Sequence, residues 1–411
     1  MKKTLLMTTM AALLFGSAAF AQETPSKFKL YGFIRNYAVA DTREVNAGTE
    51  DLYFYMPKDK NLSGSEDLNA GFNWRFVSLT TRLGLDVSGY KWGAMGISGK
   101  VEADFYNLSG SVPILRLRQA FMKLDFDDSP LSLTLGQTWH PMAADMPHMN
   151  NLETGAPFNP FNRSPQVTAD FDLGSGFSFT ASVLYLNHYL PTGPNGKSKE
   201  YYKYGYPELY VGFGYKSAIF TAKAGLDMMN SRPYRLYNDQ KAQGILTTFS
   251  PFVFLQLTEG KFQLRAKSIL AQSGEHMNLL SGYGVSSYDA SANRFEFTPM
   301  QDWASFVSFQ YGKKFQVMGM LGYMKQLGTT ADLYDVNKMF WMNTAADTRI
   351  QQAFRATPTL AWNIGKFTVS LEYNLTAAEF GRGNRNARGL YDGTPEWIIN
   401  HRFICMTKFN F

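Results

Sequence analysis

Apolar and polar residues alternate along long stretches of this chain. Val77, Leu79, Thr81, Leu83, Leu85 and Val87 share one face of an extended segment, with Ser78, Thr80, Arg82, Gly84 and Asp86 on the other. Met95, Ile97, Gly99, Val101, Ala103 and Phe105 then stand against Ser98, Lys100, Glu102 and Asp104. Phe367, Val369, Leu371, Tyr373 and Leu375 stand in the same way against Thr368, Ser370, Glu372 and Asn374. A period of two with charge confined to one face describes a strand between an apolar medium and a polar one.

Sixteen such strands are predicted. Eight lie near residues 28–40, 72–88, 92–107, 113–126, 131–139, 166–173, 176–189 and 206–216, and eight near 219–229, 245–258, 262–273, 301–311, 315–327, 351–364, 367–380 and 399–411. Each has about the length needed to cross a bilayer at a tilt. Short turns such as Asp127-Asp128-Ser129-Pro130, Gly174-Ser175, Glu259-Gly260, Gly312-Lys313 and Gly365-Lys366 follow the even-numbered strands, and long loops follow the odd ones. That segregation predicts an all-β fold, a transmembrane antiparallel β-barrel of about 16 strands with both termini on the periplasmic side. A soluble sandwich also alternates, but it has no reason to sort its connections by length. It also buries its apolar face, whereas Trp74, Trp92, Trp139, Tyr189, Tyr215, Trp303, Tyr311 and Trp362 fall at strand ends, as interfacial girdles require.

The N-terminal segment breaks the pattern. Lys2 and Lys3 precede an apolar run from Leu5 to Phe20, and Ala19-Phe20-Ala21 is a small-x-small site, so residues 1–21 are expected to be a signal peptide cleaved after Ala21. Residues 22–411 contain no linker and form one barrel domain on this reading. Aromatics make up 15% of the chain although its mean hydropathy is slightly negative. That combination suits a sheet with one greasy and one wet face. The net charge of +6, or +4 without Lys2 and Lys3, is scattered, so no nucleic-acid partner is expected. The lone Cys405 forms no internal disulfide.

In a water-filled barrel the chemistry is electrostatic, set by wet-face charges near mid-strand. Arg82, Arg116, Arg118, Lys100, Glu102, Asp104, Arg265 and Arg355 qualify by alternation. An arginine or lysine facing lipid at the midplane costs about 2–4 kcal/mol, which settles most of these directions. The fourth strand is harder. In the run from Leu115 to Leu124, turning Arg116 and Arg118 inward sends Gln119 and Lys123 outward. Either a β-bulge reverses the facing, or Gln119 lies in a subunit interface and Lys123 snorkels at the rim; the interface is the expectation adopted.

The third long loop, residues 140–165, carries five prolines (141, 147, 157, 160 and 165) together with Asp145 and Glu153. Proline lowers the entropy lost in holding one conformation. The loop is expected either to fold into the lumen and narrow it opposite the arginines of strands two and four, or to pack over the mouth.

Enzyme motifs are absent: there is no Gly-x-Ser-x-Gly, phosphate loop or His-Glu-x-x-His. His140, His148, His188, His276 and His401 are scattered, and His140 and His148, with Asp145 between them, offer little metal geometry. No cofactor and no metal are expected.

Several stretches together resemble the DcaP-like porins, a family of trimeric outer-membrane channels of Gram-negative cells. They are Lys29-Leu30-Tyr31-Gly32-Phe33-Ile34-Arg35, Thr80-Thr81-Arg82-Leu83-Gly84-Leu85-Asp86 and Gly99-Lys100-Val101-Glu102-Ala103-Asp104-Phe105, with Leu115-Arg116-Leu117-Arg118-Gln119-Ala120-Phe121, Leu135-Gly136-Gln137-Thr138-Trp139 and Pro157-Phe158-Asn159-Pro160. The match covers roughly residues 28–170. The final Phe411 is similar to the terminal residue that outer-membrane assembly machinery reads. The resemblance implies an outer-membrane location among lipid, a homotrimer, and passive diffusion of small polar solutes and ions, with anions such as carboxylates favoured by Arg82, Arg116 and Arg118. One departure is that the family's helical segment before the barrel has no counterpart, so a trimer must rest on wall and loops. A channel with a true acidic-solute site, a barrel enzyme and a surface-binding adhesin stay open as alternatives.

Overall fold

The computed structural model describes residues 27–49, 51–107, 112–152, 154–186, 192–198, 200–341 and 347–411. The segment read as a signal peptide, Tyr189, His188 and Glu153 lie outside the described residues. Sixteen strands cross the barrel. The first eight are β1 (Lys27–Arg43), β2 (Ala70–Val77 and Arg82–Trp92), β3 (Met95–Tyr106), β4 (Ile114–Phe126), β5 (Leu131–Trp139), β6 (Arg163–Gly174), β7 (Phe177–Leu184) and β8 (Glu208–Lys216). The second eight are β9 (Phe220–Ser231), β10 (Leu246–Glu259), β11 (Phe262–Gln272), β12 (Arg294–Gly312), β13 (Phe315–Thr329), β14 (Ile350–Ala356 and Thr359–Ile364), β15 (Phe367–Phe380) and β16 (Glu396–Asn410).

Each strand pairs antiparallel with the next, and β16 closes on β1 from Phe33↔Asn410 to Asp41↔Arg402. Phe411 extends that seam by donating its N–H to the Gly32 carbonyl at 3.1 Å. Closure leaves no unpaired edge, the condition for placing a sheet in hydrocarbon. The outer face is apolar: Phe76, Phe213, Leu321, Leu371 and Phe403 are each more than half exposed. Trp74, Trp92, Trp303, Tyr311 and Trp362 are exposed there as well.

Four local expectations are corrected. Val77 and Leu79 do not share a face with Leu83. The strand breaks at Ser78–Thr81, where Thr80 adopts a positive φ of 69°. Across the break the facing reverses, so Val77 and Leu79 are buried with Tyr37 and Val39 while Leu83 points outward. Trp92 ends β2 rather than opening β3. Gln119 does not face a neighbour subunit. Glu102 pairs with Gln119 and Ala103 with Leu117, leaving Arg118 as the extra residue of a bulge. Both Arg118 and Gln119 thereby turn inward, and Gln119 donates to Glu102 at 3.2 Å. An interior hydrogen bond replaces the cost of exposing an amide to lipid. Trp139 is not a girdle residue, since it packs edge-on against Phe161 inside the barrel with ring centroids 5.2 Å apart.

Candidate functional site

The third loop, between β5 and β6, folds into the lumen. Its apolar side chains Met142, Met149, Phe158 and Phe161 join one buried cluster with wall residues of β10–β15, among them Phe252, Phe254, Phe306, Met320 and Met324. At Gly322 the wall is bare, and an added Cβ would lie 2.5 Å from the Phe158 ring. Polar wall side chains then satisfy the loop's backbone, which has no sheet to pair with. Lys267 donates to Met142 O at 2.8 Å and Arg265 to Met146 O at 2.7 Å. Arg355 donates to Ala156 O at 3.0 Å, and Tyr37 donates to Asn150 O at 3.0 Å. The loop is therefore fixed on one side of the lumen.

Between the loop and the wall of β1–β5 lies a cavity of about 470 Å³, extending toward the short-turn end of β12–β15. Among the described residues its cationic lining is Arg35, Arg82, Arg116, Arg118, Arg265 and Lys408, against a single lining carboxylate, Asp104. The arginines are held by strand pairing and by the acids of β3. Arg118 donates to Glu102 at 2.8 Å and to Asp104 at 2.6 Å, and Arg116 donates to Asp104 at 2.7 Å. Arg82 stands 3.7 Å from Glu102. Aromatic faces carry the remaining charge: Arg116 lies over Tyr106 and Arg118 over Trp139. Arg35 donates twice to the Thr80 hydroxyl, which the break in β2 places beneath it. On the loop side, burial together with nearby Arg265 pushes the pKa of His148 down to about 4, so this imidazole is neutral at physiological pH.

Of the residues expected on the channel wall, Arg82, Asp104, Arg116, Arg118 and Arg265 line this cavity. Glu102 lies just behind it, 4% exposed, as counter-charge to Arg118. Lys100 points into the lumen nearer the turns, 3.0 Å from Asp86 and 3.1 Å from the Tyr31 hydroxyl. Asp145 faces the opposite wall and pairs with Lys223 at 2.8 Å. Arg355 is 1% exposed beneath the loop and holds it rather than lining the cavity. Lys408 is not among the residues the sequence reading places on the wall, and the direction of Arg35 is left open there. Lys408 carried a usable signal, because it shares the inward parity of Arg402, Ile404 and Met406 on β16. Around Arg35 the inward face carries the apolar Tyr37 and Val39 while the outward face mixes Ile34 with Asn36, Ala38 and Ala40, so the contrast that marks a wet face is missing.

No protein-family model and no curated protein matches the chain. Solved structures do. The outer-membrane channel DcaP of Acinetobacter baumannii is similar over 96% of this chain and 100% of its own, with 18% identity and a TM-score of 0.65. An anion-selective porin from Comamonas acidovorans matches over 94% and 100%, at 10% identity and a TM-score of 0.55. OmpT of Vibrio cholerae, an outer membrane protein in its trimer form, matches over 94% and 100%, at 14% identity and a TM-score of 0.53. At such identities the likeness is one of fold, and the fold is that of outer-membrane channels.

Proposed function

We propose that this chain forms an outer-membrane channel through which small anionic solutes, carboxylates among them, diffuse passively. The observation that carries the reading is the cavity beside the third loop, where among the described residues six cationic side chains face one lining carboxylate. Charge of one sign on low-dielectric walls concentrates the opposite ion and excludes its own kind. Arg82 and Arg116 keep part of their side-chain surface open, 21% and 26%, while Arg118 is withdrawn at 6%. The first two therefore meet the solute and the third sustains the positive field behind them.

Export follows from residues 1–21 as a cleaved signal peptide, with residues 22–411 as the barrel domain. A homotrimer fits the outer face of β1. Asn36, Ala38, Ala40 and Thr42 point outward there, and Asn36 accepts from Ser78 at 2.7 Å. Small side chains and polar groups suit a subunit contact better than lipid.

Uptake into proteoliposomes tests the reading. A small dicarboxylate should enter faster than a diamine of the same length, and both should exceed protein-free vesicles. Equal entry of the two, or faster entry of the diamine, would overturn it.

A further inference from the structure

A second polar cluster lies on the far side of the third loop, and none of its members lines the cavity. His140 opens the loop. His276 sits in the 3-10 turn Gly274–Met277 of the sixth long connection, between β11 and β12. Both rings direct Nε2 at Glu208 of β8 and Asp227 of β9, and all four side chains are 0–2% exposed. His140 Nε2 is 2.9 Å from Glu208 Oε1 and 3.5 Å from Asp227 Oδ1. His276 Nε2 is 3.5 Å from Glu208 Oε1 and 3.4 Å from Asp227 Oδ2. The donor atoms of His140, Glu208 and Asp227 all lie within 4.8 Å of one another.

The hydrogen bonding of this cluster is incomplete. Neither Asp227 oxygen, nor Glu208 Oε2, nor His276 Nε2 has a hydrogen-bond partner. Buried carboxylates in that state require compensation by a cation. Four donors around a tetrahedral zinc, with bonds of about 2.0–2.1 Å, stand about 3.3–3.4 Å apart. The N···O separations here straddle that spacing, with Asp227 facing His140 through Oδ1 and His276 through Oδ2, so loading brings one of its two oxygens onto the metal. Two imidazoles and two carboxylates also balance a divalent charge, and they leave no open coordination position. Calcium and magnesium, which take six or more oxygen ligands, do not suit this donor set.

We propose that His140, His276, Glu208 and Asp227 form a structural site for a tetrahedral divalent transition metal, zinc by its donor chemistry, clamping the third and sixth loops to the β8–β9 wall. His276 Nδ1 lies 3.3 Å from the Ser273 carbonyl, the outer partner that turns Nε2 toward the metal. His140 Nδ1 meets the Met142 N–H at 3.2 Å. Coordination through Nε2 leaves a proton on that Nδ1, so loading turns the Met142 N–H aside. The site thus reaches the backbone of the loop that walls the cavity, and its ligands come from four separate parts of the chain. The metal adds to the stability of the folded state whatever free energy it gains by binding there.

The test uses the untagged barrel, isolated without chelator and then stripped. Elemental analysis before stripping should find about one zinc per chain. Titration of the stripped protein with Co²⁺ should give the intense visible bands of a tetrahedral site. Asp227→Asn and His276→Gln should each weaken Co²⁺ binding at least about tenfold, while the barrel keeps its heat-modifiable migration. Wild-type protein that neither carries zinc nor develops the bands overturns the proposal and leaves the cluster a purely protein ion-pair latch. So do variants that fold and bind Co²⁺ as tightly as wild type. If the variants fail to fold, the wild-type spectrum alone decides.

Discussion

Arg82 and Arg118 reach the same carboxylate, Glu102, from opposite neighbouring strands, yet removing them should have different effects. Arg118 is almost fully enclosed and bonds Glu102 and Asp104 together. Arg118→Ala leaves two buried carboxylates short of their partner, and breaking such a pair costs about 3–5 kcal/mol. Urea unfolding followed by tryptophan fluorescence should show a large loss of stability. Arg82 is partly open and 3.7 Å from Glu102, which keeps Arg118 as a closer partner, so Arg82→Ala should cost clearly less than Arg118→Ala and act on ion preference instead. Equal destabilisation by the two changes would contradict the division of roles. His148 gives a second test at this scale. Its pKa of about 4 lies below the usual imidazole value of about 6.5. The unfolded chain therefore takes up the proton first as pH falls, and the folded state loses stability between about pH 6.5 and 4. The urea midpoint of wild type relative to His148→Gln should fall from pH 7.5 to pH 4.5. An unchanged difference would show that the imidazole is not held neutral.

Two local devices turn the strands into this particular interior, and they differ in how far the sequence reveals them. The bulge in β4 was visible as a conflict, since Arg116, Arg118 and Gln119 cannot all face inward on a regular strand. Only the register against β3 decides between a bulge and a polar outer face, because that register depends on contacts distant in the chain. Deleting Gln119 removes the bulge and leaves strict alternation, with Arg116, Arg118 and Phe121 inward and Leu117, Ala120 and Met122 outward. No arginine is then turned toward lipid, which would cost about 2–4 kcal/mol, so the variant should still assemble into the heat-modifiable barrel, and failure to assemble would contradict the assigned facing. The third loop is the other device. Its prolines marked it as a fixed loop, but the wall it packs on follows from Gly322 on β13, whose bare backbone admits Phe158. Gly322→Val should displace that ring and loosen the loop, giving larger and noisier single-channel currents. Currents identical to wild type would mean that the loop does not bound the conducting path.

At the scale of the whole molecule, the strand number, the sorting of short turns from long loops and the outward apolar face were all legible from period-two alternation. Each depends on local chemistry repeated along the chain. The break at Ser78–Thr81, the inward Trp139 and the meeting of His140 with His276 were not, because each requires residues brought together by barrel closure. The cationic cavity falls between these cases. Alternation pointed Arg82, Arg116, Arg118 and Arg265 inward, and the inward fold of the third loop sets them around one space with Arg35 and Lys408. The central claim is that this space conducts and that its charge selects anions. The most direct test is the zero-current potential of the purified protein in a planar bilayer under a potassium chloride gradient. A potential of the sign set by chloride is the predicted result. A potential of the sign set by potassium, or folded protein that passes no current, would contradict the account.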